Sequence, residues 1–94
     1  MRAVLPVNKK NQDGSSTEEM LLFDTETATE LCGVLNVYGN AVEKIFISPG
    51  GILFSQDTNK NGELKVENQD TARKYIGQNY PEVYEKVFGR VKEA

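Results

Sequence analysis

The chain is 94 residues long, 38% hydrophobic and 27% charged, and carries a net charge of −3 with no histidine and a single cysteine. A chain of this size and composition makes one small folded domain, spanning residues 1–94. The missing histidine removes the commonest general base near neutral pH and the main transition-metal ligand, which excludes zinc sites and Ser/His or Cys/His catalytic units.

Charge is unevenly spread along the chain. Arg2, Lys9 and Lys10 make the first ten residues basic, whereas residues 11–43 hold Asp13, Glu18, Glu19, Asp24, Glu26, Glu30 and Glu43 and no lysine or arginine. Such a block repels phosphate, so direct nucleic-acid binding is not expected of it, while a basic protein surface is an acceptable partner. No apolar run reaches the ~18 to 20 residues of a membrane span, and MRAVLPVNKK lacks the apolar core of a signal peptide. A cytoplasmic protein without membrane contact is the expectation, and the lone Cys32 agrees with a reducing compartment.

In chain order, Ala3 to Val7 reads as a strand, placed at a sheet edge by Pro6, which cannot donate to a ladder. Residues 9–17 are polar and rich in turn formers and read as a mobile loop leading to a second strand over Glu19 to Phe23. Thr27-x-x-Glu30 then has capping-box spacing, and Ala28, Leu31, Cys32 and Leu35 recur at helical intervals, so an amphipathic helix is predicted, ending near Gly39 and Asn40. Cys32 falls on its apolar stripe as a buried hydrophobe.

Residues 42 to 68 predict a three-stranded antiparallel meander. Ser48-Pro49-Gly50-Gly51 supplies one turn, and Asn61-Gly62 supplies the left-handed conformations of the next. Pairing Ile47 or Ser48 with Ile52 gives two candidate registers, and both leave large apolar residues on both faces. The sheet must therefore be covered twice, by helices of the chain or by another chain. A C-terminal helix capped at Asn68 or Asp70 carries Ala72, Tyr75 and Ile76 and is interrupted by Gly77 and Asn79. Pro81 opens a last helix with Tyr84, Val87, Phe88 and Val91 on one stripe. The expected fold is a single α+β domain ordered β-β-α-β-β-β-α-α, with a mostly antiparallel sheet of about five strands.

One loop invites a ligand. Asp57, Asn59, Asn61 and Gly62 fit positions 1, 3, 5 and 6 of a calcium loop, but Lys65 occupies position 9 and Asn68 replaces the bidentate glutamate of position 12. A hairpin turn accounts for every residue, and a weak calcium-binding module over residues 57–68 is the alternative.

No residue set forms a catalytic constellation, so a non-enzymatic protein without catalytic residues, metal or cofactor is expected. The leading reading is a small interaction or regulatory protein. It acts on a protein partner, or on a second copy of itself, through the apolar residues Phe46 and Leu53 of the sheet and Tyr80, Tyr84 and Phe88 of the C-terminal helices. The second reading is an acidic decoy, of the kind a phage or mobile element encodes. It blocks a basic nucleic-acid-binding surface through residues 13–43, with Glu18, Glu19, Asp24, Glu26 and Glu30 as its surface.

Overall fold

In the computed structural model, which describes residues 1–59 and 61–94, strand β1 (Arg2–Lys10) and β2 (Ser16–Asp24) form an antiparallel hairpin of nine residue pairs. Strands β3 (Thr29–Leu35), β4 (Ala41–Ile47), β5 (Leu53–Asp57) and β6 (Leu64–Val66) follow as a four-stranded antiparallel meander, and helices α1 (Gln69–Asn79) and α2 (Pro81–Phe88) close the chain. The α+β class and the single small domain agree with the sequence, as do the meander and the helical pair.

The predicted helix after residue 25 is instead β3. Its start signal is real but local. Asp24 Oδ1 accepts the Glu26 amide at 2.9 Å and the Asp24 carbonyl accepts the amide of Ala28 at 3.0 Å, which winds one turn that is not continued. The apolar spacing has a different cause. A register shift between Glu30 and Cys32 marks a bulge, and a bulge turns successive side chains to the same side. Leu31, Cys32 and Val34 therefore all pack on one face of a strand, which imitates helical periodicity.

The β4–β5 turn settles the register. Ser48 donates its amide to the Ile52 carbonyl at 2.9 Å, Gly51 closes the turn at φ 85°, and Ile47 pairs with Leu53. Of the two candidate registers this is the one pairing Ser48 with Ile52. It sends Phe46 and Phe54 to one face and Ile45, Ile47 and Leu53 to the other.

Both faces are covered by the chain itself. Phe23 comes from the hairpin to meet Phe46, Phe54 and Leu64, with ring centroids 5.0 Å from Phe23 to Phe54 and 5.4 Å from Phe46 to Phe54. On the opposite face Ile45 and Leu53 are covered by Ala72 and Ile76 of α1, with Tyr80, Val83, Tyr84 and Phe88 around them. The double covering predicted for the sheet is thus present, but one of the two covers is a hairpin and not a helix.

Helix α1 starts where the Asn68 side chain accepts the Thr71 amide at 3.0 Å. It runs through Gly77, predicted as a break. A Cβ at that position would lie 3.3 Å from the Tyr84 ring, so the glycine lets α2 approach closely. Gln69 acts as an additional strand residue. Its side chain accepts the Leu53 amide at 2.8 Å and donates to the carbonyls of Leu53 at 2.9 Å and Glu67 at 2.8 Å, satisfying β5 at the end of β6.

Candidate functional site

The hairpin contributes only one of its faces to the core. Ala3, Leu5, Val7, Leu21 and Phe23 point inward, and by strand alternation Val4, Pro6, Met20 and Leu22 point out. Register pairs Val4 with Leu22 and Pro6 with Met20, making one contiguous apolar patch. Val4 is 58% exposed, Met20 57% and Leu22 53%. Arg2 and Asp24, 3.5 Å apart, flank the patch at the root, and Glu18 lies toward the tip.

The hydrogen-bond phase of the hairpin determines what β2 offers at its outer edge. Asn11 donates to the Ser15 carbonyl at 2.8 Å and Thr25 to the Met1 carbonyl at 3.0 Å, so the odd-numbered residues form the hydrogen-bonded pairs. Pro6 consequently sits at a non-bonded position, where its missing N–H costs nothing. On β2 the amides and carbonyls of Glu18, Met20 and Leu22 point away from β1. Among the described residues no strand pairs with β2 on that side.

The two edges of the four-stranded sheet are interrupted or flanked. Strand β3 is broken by two register shifts, and its Gly33 carbonyl accepts the hydroxyls of Tyr75 at 3.4 Å and Tyr80 at 3.3 Å. The edge of the three-residue β6 is flanked by β1. Beside the root of β2 opens a cleft of about 400 Å³, lined by Leu21, Leu22, Phe23, Pro49, Gly50 and Ile52 among others. Together these features present an apolar face, an apolar cleft and unpaired main-chain groups on one strand. This chemistry suits a polypeptide better than a small polar ligand.

The sequence-predicted site residues fall elsewhere. Phe46, 6% exposed, and Leu53, 1% exposed, are core residues on opposite faces of the sheet, so neither offers a docking surface. The physical reason is that the hairpin and the helices of the chain cover both faces. Tyr80, Tyr84 and Phe88 are half-buried against the helix-covered face. Tyr84 and Phe88 rings lie 5.0 Å apart and the Arg73 guanidinium sits 4.6 Å above Phe88, so their aromatic surface is largely used in packing.

The acidic residues do not gather on one surface. Asp24 is committed to Arg2 and to the turn that follows it, and Glu30 lies 3.6 Å from Lys44. Glu26 sits in that turn. Glu18 and Glu19, which make no ion pair among the described residues, point to opposite sides of β2. Asp13 belongs to the β1–β2 turn, which spans only residues 11–15 and not 9–17. Its carboxylate accepts the Ser15 hydroxyl at 2.6 Å and amide at 3.0 Å, and these bonds hold its pKa below the usual carboxylate value.

The Asp57 loop closes as a turn, with Asn61 at φ 53° and Gly62 at φ 74°, and Lys60 lies outside the described residues. Asp57 Oδ1 accepts the Asn59 amide at 2.7 Å, its backbone amide reaches the Glu63 carbonyl at 3.0 Å, and Gln56 Nε2 donates to the Gly62 carbonyl at 3.2 Å. Lys65, at the template's ninth position, donates to Glu43 at 2.8 Å, and that bond raises its pKa. Cys32 is half-buried and its pKa is raised by desolvation, which makes its thiol a poor nucleophile.

The patch on the hairpin had a signal in the sequence. Met20, Leu21, Leu22 and Phe23 form an uninterrupted apolar run, the mark of a strand with both faces in apolar contact. One of those faces has no cover within the described chain. Compared with known proteins, the chain matches no family model, no curated protein and no solved structure at significant similarity. No helix among the described residues is long and apolar enough to cross a membrane.

Proposed function

We propose that the protein is a small non-enzymatic protein-binding module that engages its partner through the outward side of the N-terminal hairpin. The observation that carries this reading is the exposed patch of Val4, Pro6, Met20 and Leu22 on a hairpin whose opposite face is already consumed by the core. Three large apolar side chains adjoining on one rigid two-stranded surface do nothing for folding where they stand, and a partner that buries them gains the hydrophobic free energy the fold leaves unused. Phe46 and Leu53 have no part in this surface.

The test is affinity capture from the native host with the wild-type chain and with a Val4→Lys/Leu22→Lys variant. The expected result is one or more partners recovered by the wild type and lost by the variant, while the melting temperature stays nearly unchanged. Equal recovery by both chains overturns the reading.

A further inference from the structure

Resting on the hairpin as the binding region, we infer that β2 takes an extended segment of a partner protein as an added strand, apolar beside Leu21 to Phe23 and basic beside Glu18 and Glu19. Three features of β2 point to strand addition. Its register with β1 is continuous over nine residue pairs without a bulge, its outer edge carries the unpaired amides and carbonyls of Glu18, Met20 and Leu22, and that edge borders the apolar cleft. Long straight edges are normally blunted by bulges, proline, lysine or a covering element, as β3 and β6 are. Among the described residues, the only such device on β2 is negative charge.

That charge selects the occupant. A second copy of β2 supplies no cation opposite Glu18 and Glu19: in the antiparallel register centred on Met20 they face Leu22 and Leu21, and a register centred on the glutamates sets like charges across the strand pair, which destabilises it. A segment with adjacent lysines or arginines turns the same pair into cross-strand attraction, one basic side chain on each face of the sheet. Toward the root of β2 the acidic residues give way to Leu21, Leu22 and Phe23, and the cleft there suits apolar side chains. The opposite edge of β2 already holds a strand of this composition, because β1 runs from Leu5 and Val7 to Lys9 and Lys10. The incoming segment runs antiparallel to β2 in the same sense as β1, apolar first and basic last.

The experiment is a titration of the ¹⁵N-labelled protein with the capped peptide VLVTKK and, separately, with VLVTEE, followed by amide chemical shifts. The expected result is saturable perturbation by VLVTKK that alternates along β2, large at the outward amides of Glu18, Met20 and Leu22 and small at Glu19 and Leu21, whose amides face β1. The affinity falls at least about tenfold for VLVTEE and for a Glu18→Lys/Glu19→Lys variant, and declines as salt is raised. A Met20→Pro change removes an outward amide without breaking a bond to β1, and it abolishes the alternating pattern in protein that remains folded.

No perturbation at millimolar peptide, equal binding of the two peptides, or shifts without alternation overturns strand addition. If that happens while Val4→Lys/Leu22→Lys still abolishes partner capture, strand addition alone has failed. If capture too is unaffected by that variant, the binding region itself is wrong.

Discussion

The two covers of the central sheet are built to different standards. The helical cover is saturated. Ile76 is fully buried, the hydroxyls of Tyr75 and Tyr80 reach a single carbonyl of β3, Gln69 completes the hydrogen bonding of β5, and the aromatic side chains of α2 pack on one another and on Arg73. The hairpin cover buries Phe23 with equal thoroughness on its inner side and leaves an apolar outer side and an open edge. A fold needs each apolar surface covered once, so the surplus on the hairpin is a part of the molecule that stability does not explain.

The sharpest way to strain this comparison is to cut one cover from the sheet and then the other. Phe54, fully buried between Phe23 and Phe46, holds the hairpin side, and Phe54→Ala should cost about 3–5 kcal/mol because a large cavity opens between the tilted Phe23 ring and the Phe46 ring stacked on Phe54. Ile76→Ala does the same on the helical side at about 2–5 kcal/mol. Denaturant unfolding followed by both circular dichroism and tyrosine fluorescence checks the pair. Coincident transitions are expected, since both covers share one sheet, whereas a separate early loss of the helices in the Ile76 variant would show that they are not one cooperative unit.

A smaller effect tests whether the helical cover is saturated by hydrogen bonds as well as by contacts. Removing the Gln69 side chain in Gln69→Ala strands the amide of Leu53, a residue 1% exposed, and leaves its carbonyl only the Glu67 amide at 3.3 Å, which should cost about 1–3 kcal/mol. Gln69→Glu is expected to be no better. It keeps an acceptor for the Leu53 amide but sets a carboxylate against two carbonyls that now receive a donor. A Glu variant as stable as wild type in chemical denaturation at neutral pH would remove the assigned role.

Much of this was legible in the residues, and the failures have identifiable causes. Pro81 at a helix start, Asn68 as a cap and Asn61-Gly62 as the left-handed pair of a turn are local signals, fixed by dihedral angles and short-range hydrogen bonds, and each holds. The segment from Thr29 to Leu35 imitates a helix because a bulge after Glu30 breaks the two-residue period that identifies strands, while Asp24 supplies a cap for a single turn. The double covering of the meander follows from its large apolar residues on both faces, Phe46 and Leu53 among them. Which element performs it depends on a hairpin more than twenty residues earlier, information no local window contains. The same distance explains why Phe46 and Leu53 looked like docking residues and Val4, Met20 and Leu22 did not.

The weakest expected effects separate the two regions by pH. Lys65 beside the helix-covered face has its pKa raised, chiefly by the hydrogen bond to Glu43 and further by the charges of Glu67 and Asp57. Its folded value lies above its unfolded value, so its contribution to stability is complete below the unfolded lysine pKa of about 10.4 and disappears as pH rises through the folded value. Asp13 in the hairpin turn has its pKa lowered, first by the Ser15 hydroxyl and then by the Ser15 amide. Its contribution is present above the unfolded carboxylate pKa of about 3.9 and is lost as pH falls through the folded value. Both groups are solvated, so the expected changes are small. Melting curves should show the gap between wild type and Lys65→Met constant through neutral pH and narrowing only in alkali, and the gap to Asp13→Asn narrowing only in acid. A Lys65→Met gap that stays unchanged from neutral pH into alkali would remove the lysine's own charge from this account.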